Sequence, residues 1–342
     1  MLPLLIILYI ILAGCLVFLS EKIGSYIDLL DKKTKISGAF LGGVILAAVT
    51  SLPELFTSIS ATLLVQEDGL VIGNILGSNL FNVAILGVCL MLFFKVFRKG
   101  RIEYKFHNFT FLGLAIVYAL ICYGLFVPRK FQPQVGPINF ICPLILVVYG
   151  LIIFLQPKEV DKPTDETSEK EENKDNCPLS VKQILIRFSI CAVLLVGISI
   201  AITYVTDDLA NRLKLDTTLA GALFLAIATS LPELVSCVTL CYKKNFNAAL
   251  GDIIGSCFFN FCIIGISEFL AYRTSLMSEL NRDAMIMTII TIICLVLLFI
   301  LICIKRFTVD KKSQDKSISW FDVLTIATGL LIFSGYIIFL II

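Results

Sequence analysis

The hexapeptide Thr50-Ser-Leu-Pro-Glu-Leu55 occurs twice in this chain, because residues 229–234 also read Thr-Ser-Leu-Pro-Glu-Leu. A second pair of related stretches follows the two copies. Residues 73–82 read Gly-Asn-Ile-Leu-Gly-Ser-Asn-Leu-Phe-Asn, and residues 251–260 read Gly-Asp-Ile-Ile-Gly-Ser-Cys-Phe-Phe-Asn. Two such coincidences in the same order indicate that the chain consists of two related halves.

Both halves are unusually apolar. Of the 342 residues, 58% are hydrophobic and 16% are charged, the net charge is +2, and the mean hydropathy is +0.94. Soluble domains average about 45–50% apolar and about 25% charged residues. This composition excludes a disordered chain, a disulfide-stapled secreted module and a nucleic-acid-binding protein, since no large basic patch is present. It predicts a polytopic protein of the cell membrane.

The number of membrane spans follows from the apolar stretches, because a transmembrane helix needs about 20 mostly apolar residues. Ten stretches qualify: Leu2–Ser20, Gly38–Leu64, Leu70–Phe97, Asn108–Phe126, Ile138–Gln156, Ile184–Tyr204, Leu219–Cys241, Ala248–Ala271, Met285–Cys303 and Phe321–Ile341. The first stretch lacks a preceding basic region and a small-residue cleavage site, so we expect it to be retained as a helix. The predicted fold class is an all-α membrane protein with ten transmembrane helices.

The loops predict the orientation and the division of the chain. With the N-terminus outside, the inner loops hold 21 Lys and Arg residues and the outer loops hold 6, which places both termini outside. The polar stretch Pro157–Lys182 is rich in charge and cannot bury a core, so we interpret it as a flexible cytoplasmic linker. It separates a first five-helix repeat (residues 1–156) from a second (residues 183–342). An odd number of spans inverts the second repeat relative to the first.

The cysteines do not predict a metal or disulfide framework. Eleven of the twelve lie inside apolar runs, where Cys packs as a small hydrophobic side chain. The chain has no Cys-x-x-Cys motif, and His107 is its one histidine. We therefore expect no zinc, haem or iron–sulfur site, and no cofactor.

Glu54 and Glu233, one in each hexapeptide, lie well inside apolar spans. An ionised carboxylate at that depth costs about 2.5 kcal/mol or more. No Lys or Arg lies within a span core to neutralise either group. Two neighbouring carboxylates also repel each other unless a cation lies between them. The pair therefore predicts a site for one divalent cation or a few monovalent cations.

Each carboxylate lies beside further oxygen ligands. A proline precedes each Glu and frees the carbonyl four residues back, while the local distortion loosens neighbouring carbonyls. The carbonyls concerned belong to Val49, Ala228, Ala47 and Ala226. Thr50 lies one turn before Glu54, and Ser51 borders the same helix face. Hydroxyl, carbonyl and carboxylate oxygens are hard ligands that suit Ca²⁺ or Na⁺.

The second motif contributes a polar stripe in each half. Residues spaced i, i+4 and i+8 form these stripes: Asn74, Ser78 and Asn82, and Asp252, Ser256 and Asn260. The glycine pairs Gly73/Gly77 and Gly251/Gly255 permit close helix approach. For Ser78, Asn82, Ser256 and Asn260 we favour ion ligation, because they lie deeper in the spans. For Asn74 and Asp252, ligation and interhelical hydrogen bonding both stay open.

These motifs resemble the two α-repeats of the cation/Ca²⁺ exchanger superfamily, and specifically its prokaryotic sodium/calcium exchanger branch. The resemblance implies ion sites between helices two, three, seven and eight, and alternating access by sliding of helices one and six. Carried over by position, it implies these ligands: Thr50, Ser51, Glu54, Ser78, Asn82, Thr229, Ser230, Glu233, Ser256, Asn260 and the carbonyls of Ala47 and Ala226.

The resemblance implies a secondary active antiporter that exchanges Ca²⁺ for Na⁺ in the lipid bilayer, acting as a monomer and not as an enzyme. One position departs from the pattern, because some relatives have Asp where this chain has Asn260. The formal charge counted at the centre is then −2, from Glu54 and Glu233. The alternative is a proton-coupled antiporter of Ca²⁺ or another cation, since a buried Glu can carry a proton. A passive channel and a membrane enzyme are less favoured.

Overall fold

The computed structural model describes residues 2–34, 47–136, 138–156, 179–271, 275–308 and 320–341. We label its helices in chain order: α1 (Leu2–Thr34), α2 (Leu52–Val65), α3 (Asp68–Leu92), α4 (Phe94–Lys99), α5 (Tyr104–Phe126), α6 (Ile141–Leu155), α7 (Val181–Leu213), α8 (Thr217–Thr229), α9 (Leu231–Tyr242), α10 (Phe246–Leu270), α11 (Arg282–Thr308) and α12 (Trp320–Ile341). Short 3₁₀ turns occur at Arg129–Phe131 and Leu276–Glu279.

Seven helices are long and apolar enough to cross a membrane: α1, α3, α5, α7, α10, α11 and α12. The bent pair α8 and α9 forms an eighth candidate, and α2 and α6 are shorter apolar helices. Each of the ten predicted spans overlaps one of these elements. The start of the second predicted span (residues 38–46) and most of the predicted linker (residues 157–178) lie outside the described residues. The chain is a multi-pass integral membrane protein, and the count of ten spans stays a prediction.

Three features differ in detail from the sequence prediction. Helix α1 continues to Thr34 instead of ending at Ser20, and α7 continues to Leu213 instead of Tyr204. A helix satisfies its own backbone hydrogen bonds, so polar residues beyond the apolar stretch do not end it. The all-α expectation misses one small antiparallel ribbon, in which Gln134–Val135 pairs with Ile138–Asn139.

The hexapeptides break the helices that contain them. In the second half, α8 and α9 meet at Ser230 with a bend of 44°. Pro232 lies in the first turn of α9, and Pro53 lies in the first turn of α2. A proline ring is tolerated in a first turn, where its missing N–H would have no intrahelical partner. A new helix therefore begins at each proline, and Glu54 and Glu233 lie in the first turns of these helices.

Burial separates a central group of helices from a peripheral pair. In α3, 78% of the apolar window is buried, and in α10 the fraction is 67%. In α1 and α7 the corresponding fractions are only 22% and 17%, although these two helices pack against each other along their length. Most of the side chains of α1 and α7 therefore face away from the protein interior, as a lipid-facing pair requires.

Small residues bring α3 very close to α8. A Cβ atom added at Gly73 would lie 1.9 Å from the Thr218 carbonyl oxygen, and one at Gly77 would lie 2.7 Å from the Ala222 Cα. This confirms the close approach predicted for the first glycine pair. At Gly251 an added Cβ would meet the His107 ring at 3.6 Å, which is ordinary contact. The tight backbone contact thus lies between the two halves of the chain.

Candidate cation site

Glu54 and Glu233 are brought together from the two halves and are fully buried. The Ser51 hydroxyl donates to Glu233 Oε1 at 3.1 Å, and the Ser230 hydroxyl donates to Glu54 Oε1 at 3.0 Å. Each hexapeptide therefore supplies a serine to the carboxylate of the other. Both carboxylates lie in the first turn of a helix, where the exposed backbone N–H groups favour negative charge.

A second reciprocal contact joins the glycine-serine motifs to the alanine carbonyls. The Ser256 hydroxyl lies 3.4 Å from the Ala47 carbonyl oxygen, and the Ser78 hydroxyl lies 3.5 Å from the Ala226 carbonyl oxygen. The Thr50 hydroxyl also lies 3.3 Å from Ser256 Oγ. The four helix segments that the sequence singled out thus meet at one centre.

The alanine carbonyls differ from the expectation in one respect. The Ala47 oxygen still accepts the Ser51 N–H at 3.2 Å, and the Ala226 oxygen accepts the Ser230 N–H at 3.1 Å. The prolines have therefore not freed these oxygens from the helix ladder. Hydroxyls also lie within hydrogen-bond distance of each oxygen, those of Thr50 and Ser256 at Ala47 and those of Thr229 and Ser78 at Ala226, so a cation bound there would replace one of these contacts.

Several buried polar atoms at this centre have no hydrogen-bond partner. They are Glu54 Oε2, Glu233 Oε2, Asn260 Oδ1, both side-chain polar atoms of Asn82 and both carboxylate oxygens of Asp252. Leaving such an atom unsatisfied costs about 1–3 kcal/mol, and more for a charged group. Among the described residues, both salt bridges, Arg98–Asp322 and Arg212–Asp208, lie outside this centre. The unpaired oxygens among them are acceptors that a cation, a proton or a water molecule can satisfy.

The centre is closed from solvent. None of the twelve predicted ligands is more than 8% exposed, and both carboxylates are fully buried. A cavity of about 20 Å³ lies beside the centre and reaches Ala47 between Thr110, Gln156, Gly251 and Phe258. That volume holds about one water molecule. The described ligands are therefore shielded from solvent.

Ten of the predicted ligands each form a hydrogen bond to another of the ten. Asn82 and Asn260 have no such bond to another predicted ligand among the described residues. Asn260 donates from Nδ2 to Asn79 Oδ1 at 3.0 Å, and Asn79 lies 3.5 Å from the Tyr118 hydroxyl. Asn79 belongs to the second motif but was not predicted as a site residue. An amide side chain inside an apolar span, next to Ser78, was the feature of the sequence that could have identified it.

Asn74 and Asp252 occupy equivalent positions but behave differently. The Asn74 amide donates to Thr57 Oγ1 and Ser58 Oγ at 3.0 Å each, which is the interhelical hydrogen-bonding role. Asp252 is 1% exposed, and its two oxygens have no hydrogen-bond partner. The formal charge of −2 predicted from the sequence came from Glu54 and Glu233 alone and did not include Asp252. With this third buried carboxylate, the count becomes −3.

The sequence matches a family described as "Sodium/calcium exchanger protein" over residues 3–158 and 184–342. The inner membrane protein YrbG of Escherichia coli (strain K12) is 25% identical over 295 residues, which cover 85% of this chain and 86% of YrbG. The sodium/calcium exchanger MaX1 of Methanosarcina acetivorans is 29% identical over 297 residues, which cover 76% of this chain and 82% of MaX1.

The fold is shared with solved structures of cation exchangers. The crystal structure of the H⁺/Ca²⁺ exchanger CAX aligns with a TM-score of 0.61 and 13% identity, covering 98% of this chain and 87% of that chain. Its low identity limits that comparison to the fold. The apolar helices and the relatives together place the protein in the cell membrane. The family match spans nearly all of both halves, so the chain belongs to the sodium/calcium exchanger family, within the cation/Ca²⁺ exchanger superfamily.

Proposed function

We propose that the protein exchanges Ca²⁺ for Na⁺ by alternating access, with Glu54 and Glu233 at the shared ion site. The observation that carries the proposal is a closed centre in which each Glu has one oxygen bonded to a serine and one without a partner. The free oxygens, the serine hydroxyls and the alanine carbonyls make a hard-ligand set suited to Ca²⁺ or Na⁺. The remaining predicted ligands, Asn82 and Asn260 included, complete the proposed set.

Mutual exclusion at the carboxylates would couple the two ions. One Ca²⁺ neutralises the −2 charge of the glutamate pair, and two or more Na⁺ can do the same. Because the same oxygens serve both ions, one kind of ion has to leave before the other binds. No covalent step and no cofactor are needed, and the work is done by binding and conformational change.

Helices α1 and α7 are the elements that would move. They are the least buried spans and pack chiefly on each other. Tyr9 of α1 donates to the Phe224 carbonyl at 2.8 Å, and Thr203 of α7 lies 3.5 Å from the Thr57 carbonyl. These contacts are single hydrogen bonds among the described residues, so the pair would slide over the centre and open the site to either side in turn.

The reciprocal contacts support the predicted inverted repeat. Serine bonds to glutamate, and serine to alanine carbonyl, each in both directions between the halves. The family match also falls into two segments that flank the predicted linker. We therefore retain two inverted five-helix repeats (residues 1–156 and 183–342) around a cytoplasmic linker (157–182). One chain supplies both halves of the site, so a monomer should suffice.

The two ends of the bundle differ in charge, which supports the predicted orientation. Burial and the neighbouring carboxylates of Asp207, Glu279 and Asp68 raise the pKa of Glu67 at one end. At the other end Arg98 pairs with Asp322, and further basic residues follow: Lys95, Lys99, Arg101, Lys243, Lys244 and Arg306. By the positive-inside rule, this asymmetry supports a basic end that faces the cytoplasm and two termini that lie outside.

A proton-coupled exchanger is the second candidate. Asp252 favours it, because a buried carboxylate without a hydrogen-bond partner or a counter-ion is a group that accepts a proton. The fold shared with the H⁺/Ca²⁺ exchanger CAX is compatible with either coupling ion. In this candidate a proton gradient drives the exchange in place of the Na⁺ gradient, and the Ca²⁺ ligands are the same.

Ion flux in proteoliposomes tests both candidates. Vesicles loaded with Na⁺ should take up radioactive Ca²⁺ when diluted into Na⁺-free buffer, and Glu54→Gln should abolish uptake while Glu279→Gln, outside the centre, should not. Uptake that follows a pH gradient without Na⁺ would establish the proton-coupled candidate instead. Uptake that needs neither gradient, or that survives Glu54→Gln, would contradict the assignment of this site.

A further inference from the structure

Three cysteines from distant parts of the chain converge in the bundle interior. Cys89 of α3 and Cys237 and Cys241 of α9 have Sγ atoms that all lie within 4.8 Å of one another. The Cys89 and Cys237 sulfurs are 3.6 Å apart. All three side chains are at most 1% exposed. In the described part of the chain, no other set of His, Cys, Asp or Glu side chains converges as closely in this way.

The helices that build this cluster are those that present the ion site. Cys237 and Cys241 are spaced i, i+4 on α9, so their side chains lie on one face. Cys237 follows Glu233 by one turn, and Cys89 lies two turns beyond Asn82 on α3. The cluster therefore lies one to two helical turns from the cation site along the same two helices, and it offers sulfur instead of oxygen.

We propose that Cys89, Cys237 and Cys241 form a three-thiolate site for a thiophilic cation such as Zn²⁺ or Cd²⁺. Thiolates select soft cations, whereas the carboxylate and hydroxyl oxygens of the exchange site select hard ones. A zinc–sulfur distance of about 2.3 Å spaces three sulfurs around one ion by about 4 Å. The observed sulfur positions need shifts of less than about 1 Å to reach that geometry.

Other buried cysteines do not show this arrangement. The Cys294 thiol faces the Ile332 carbonyl at 3.7 Å, and the Cys257 thiol faces the Asn79 carbonyl at 3.8 Å, so each has a single backbone partner. Core packing therefore does not require sulfur to contact sulfur. A disulfide between Cys89 and Cys237 would use two sulfurs and leave Cys241 beside them. A metal ion uses all three.

The cluster lies near the basic end of the bundle. Cys241 is followed directly by exposed residues, among them Tyr242, which is 73% exposed and packs on Phe93 of the chain segment after Cys89. A cation entering there binds as the three thiols release their protons. Three thiolates and one divalent cation carry a net charge of −1, so the bound ion would act by joining α3 to α9 one turn from Glu233, which restrains the helices that present the exchange site. Occupancy should therefore inhibit transport, a consequence that rests on the proposed function, whereas the binding itself does not.

Cd²⁺ titration of the purified, reduced full-length protein tests the site. A large excess of Ca²⁺ keeps Cd²⁺ away from the oxygen ligands. One Cd²⁺ should bind per chain and produce the ultraviolet sulfur-to-metal charge-transfer band. Cys89→Ala, Cys237→Ala and Cys241→Ala should each weaken binding at least about 10-fold, since even outer-shell partners are worth that much. Cys294→Ala, which removes an equally buried single thiol, should leave binding unchanged.

Two further measurements do not depend on the variants' stability. X-ray absorption at the cadmium edge of the wild-type protein should show three sulfur ligands, and a shell of oxygen ligands alone would overturn the proposal. Mass spectrometry of the protein before reduction should find the three thiols free, and a persistent Cys89–Cys237 disulfide would overturn it. In vesicles, micromolar-range Cd²⁺ added with excess Ca²⁺ should slow Ca²⁺ uptake by the wild type but not by the Cys89→Ala variant. Equal inhibition of the two proteins would refute the inhibitory role of the site.

Discussion

Replacing Asp252 by Asn should stabilise the ion-free protein, although it removes a carboxyl group from the middle of the bundle. Asp252 is buried with both oxygens unsatisfied, and the Ser236 and Thr50 hydroxyls flank it. The equivalent Asn74 makes three amide hydrogen bonds at 3.0–3.4 Å. Replacing Asp252 by Asn removes a buried carboxyl group whose oxygens are unsatisfied and supplies an amide donor for the neighbouring hydroxyls.

The expected size follows from the cost of the unsatisfied carboxylate. A buried unpaired polar group costs about 1–3 kcal/mol, so Asp252→Asn should recover about that much in the free energy of unfolding. Each kcal/mol corresponds to about 2–4 °C in Tm for domains of 150–250 residues, and to somewhat less for a longer chain. The reverse change at the matched position, Asn74→Asp, removes the donor to Thr57, Ser58 and the Glu54 carbonyl. It should lower Tm by a similar amount.

Thermal unfolding of the detergent-purified protein measures both effects, with a chelator present and then with Ca²⁺. If the Asp252 charge contributes to cation binding, added Ca²⁺ should stabilise Asp252→Asn less than the wild type. A tenfold loss of affinity reduces that stabilisation by about 1.4 kcal/mol. A lower Tm for Asp252→Asn in chelator, together with a neutral Asn74→Asp, would refute the assignment of unsatisfied carboxyl oxygens to Asp252.

Two further changes test the packing that supports the site. Gly77→Ala should lower Tm and folded yield, because its Cβ would lie 2.7 Å from the Ala222 Cα. At Gly14 an added Cβ would have no atom within 4 Å, so Gly14→Ala should be neutral or stabilising by up to about 1 kcal/mol. Size-exclusion and thermal assays measure both. Arg98→Ala should cost about 3–5 kcal/mol because it leaves Asp322 buried and unpaired, whereas removing the exposed partner in Arg212→Ala should cost at most about 0.5 kcal/mol. Equal Tm changes within either pair would contradict the packing or the burial argument.

The overall layout could be predicted from the sequence because it depends on local pattern. Apolar stretches of span length predicted the membrane helix regions, and the prolines of the duplicated hexapeptide predicted a local distortion, where the structure shows that a new helix begins. Proline and buried charge act on residues within one or two turns, so their effects can be read along the chain. The same locality made Glu54 and Glu233 recognisable as site residues.

The pairing of groups across the halves could not be predicted in detail. Nothing in the spacing shows that Ser51 bonds Glu233 and that Ser230 bonds Glu54, since each pair is formed by helices from opposite halves. From the sequence, the role of Asp252 stayed open, and Asn79 was not predicted as a site residue. Burial and partner geometry distinguish such residues, and both depend on how the helices pack.

By itself, the sequence determined the class of protein, the duplicated motif and the carboxylates that make the spans unusual. Those features arise from composition and from contacts within a few turns of one helix. Only the tertiary structure decided that Asp252 lacks the hydrogen bonds of Asn74, and that Cys89 meets Cys237 and Cys241. The reason is that these outcomes depend on atoms far apart in the chain, which are brought together only when the two halves pack against each other.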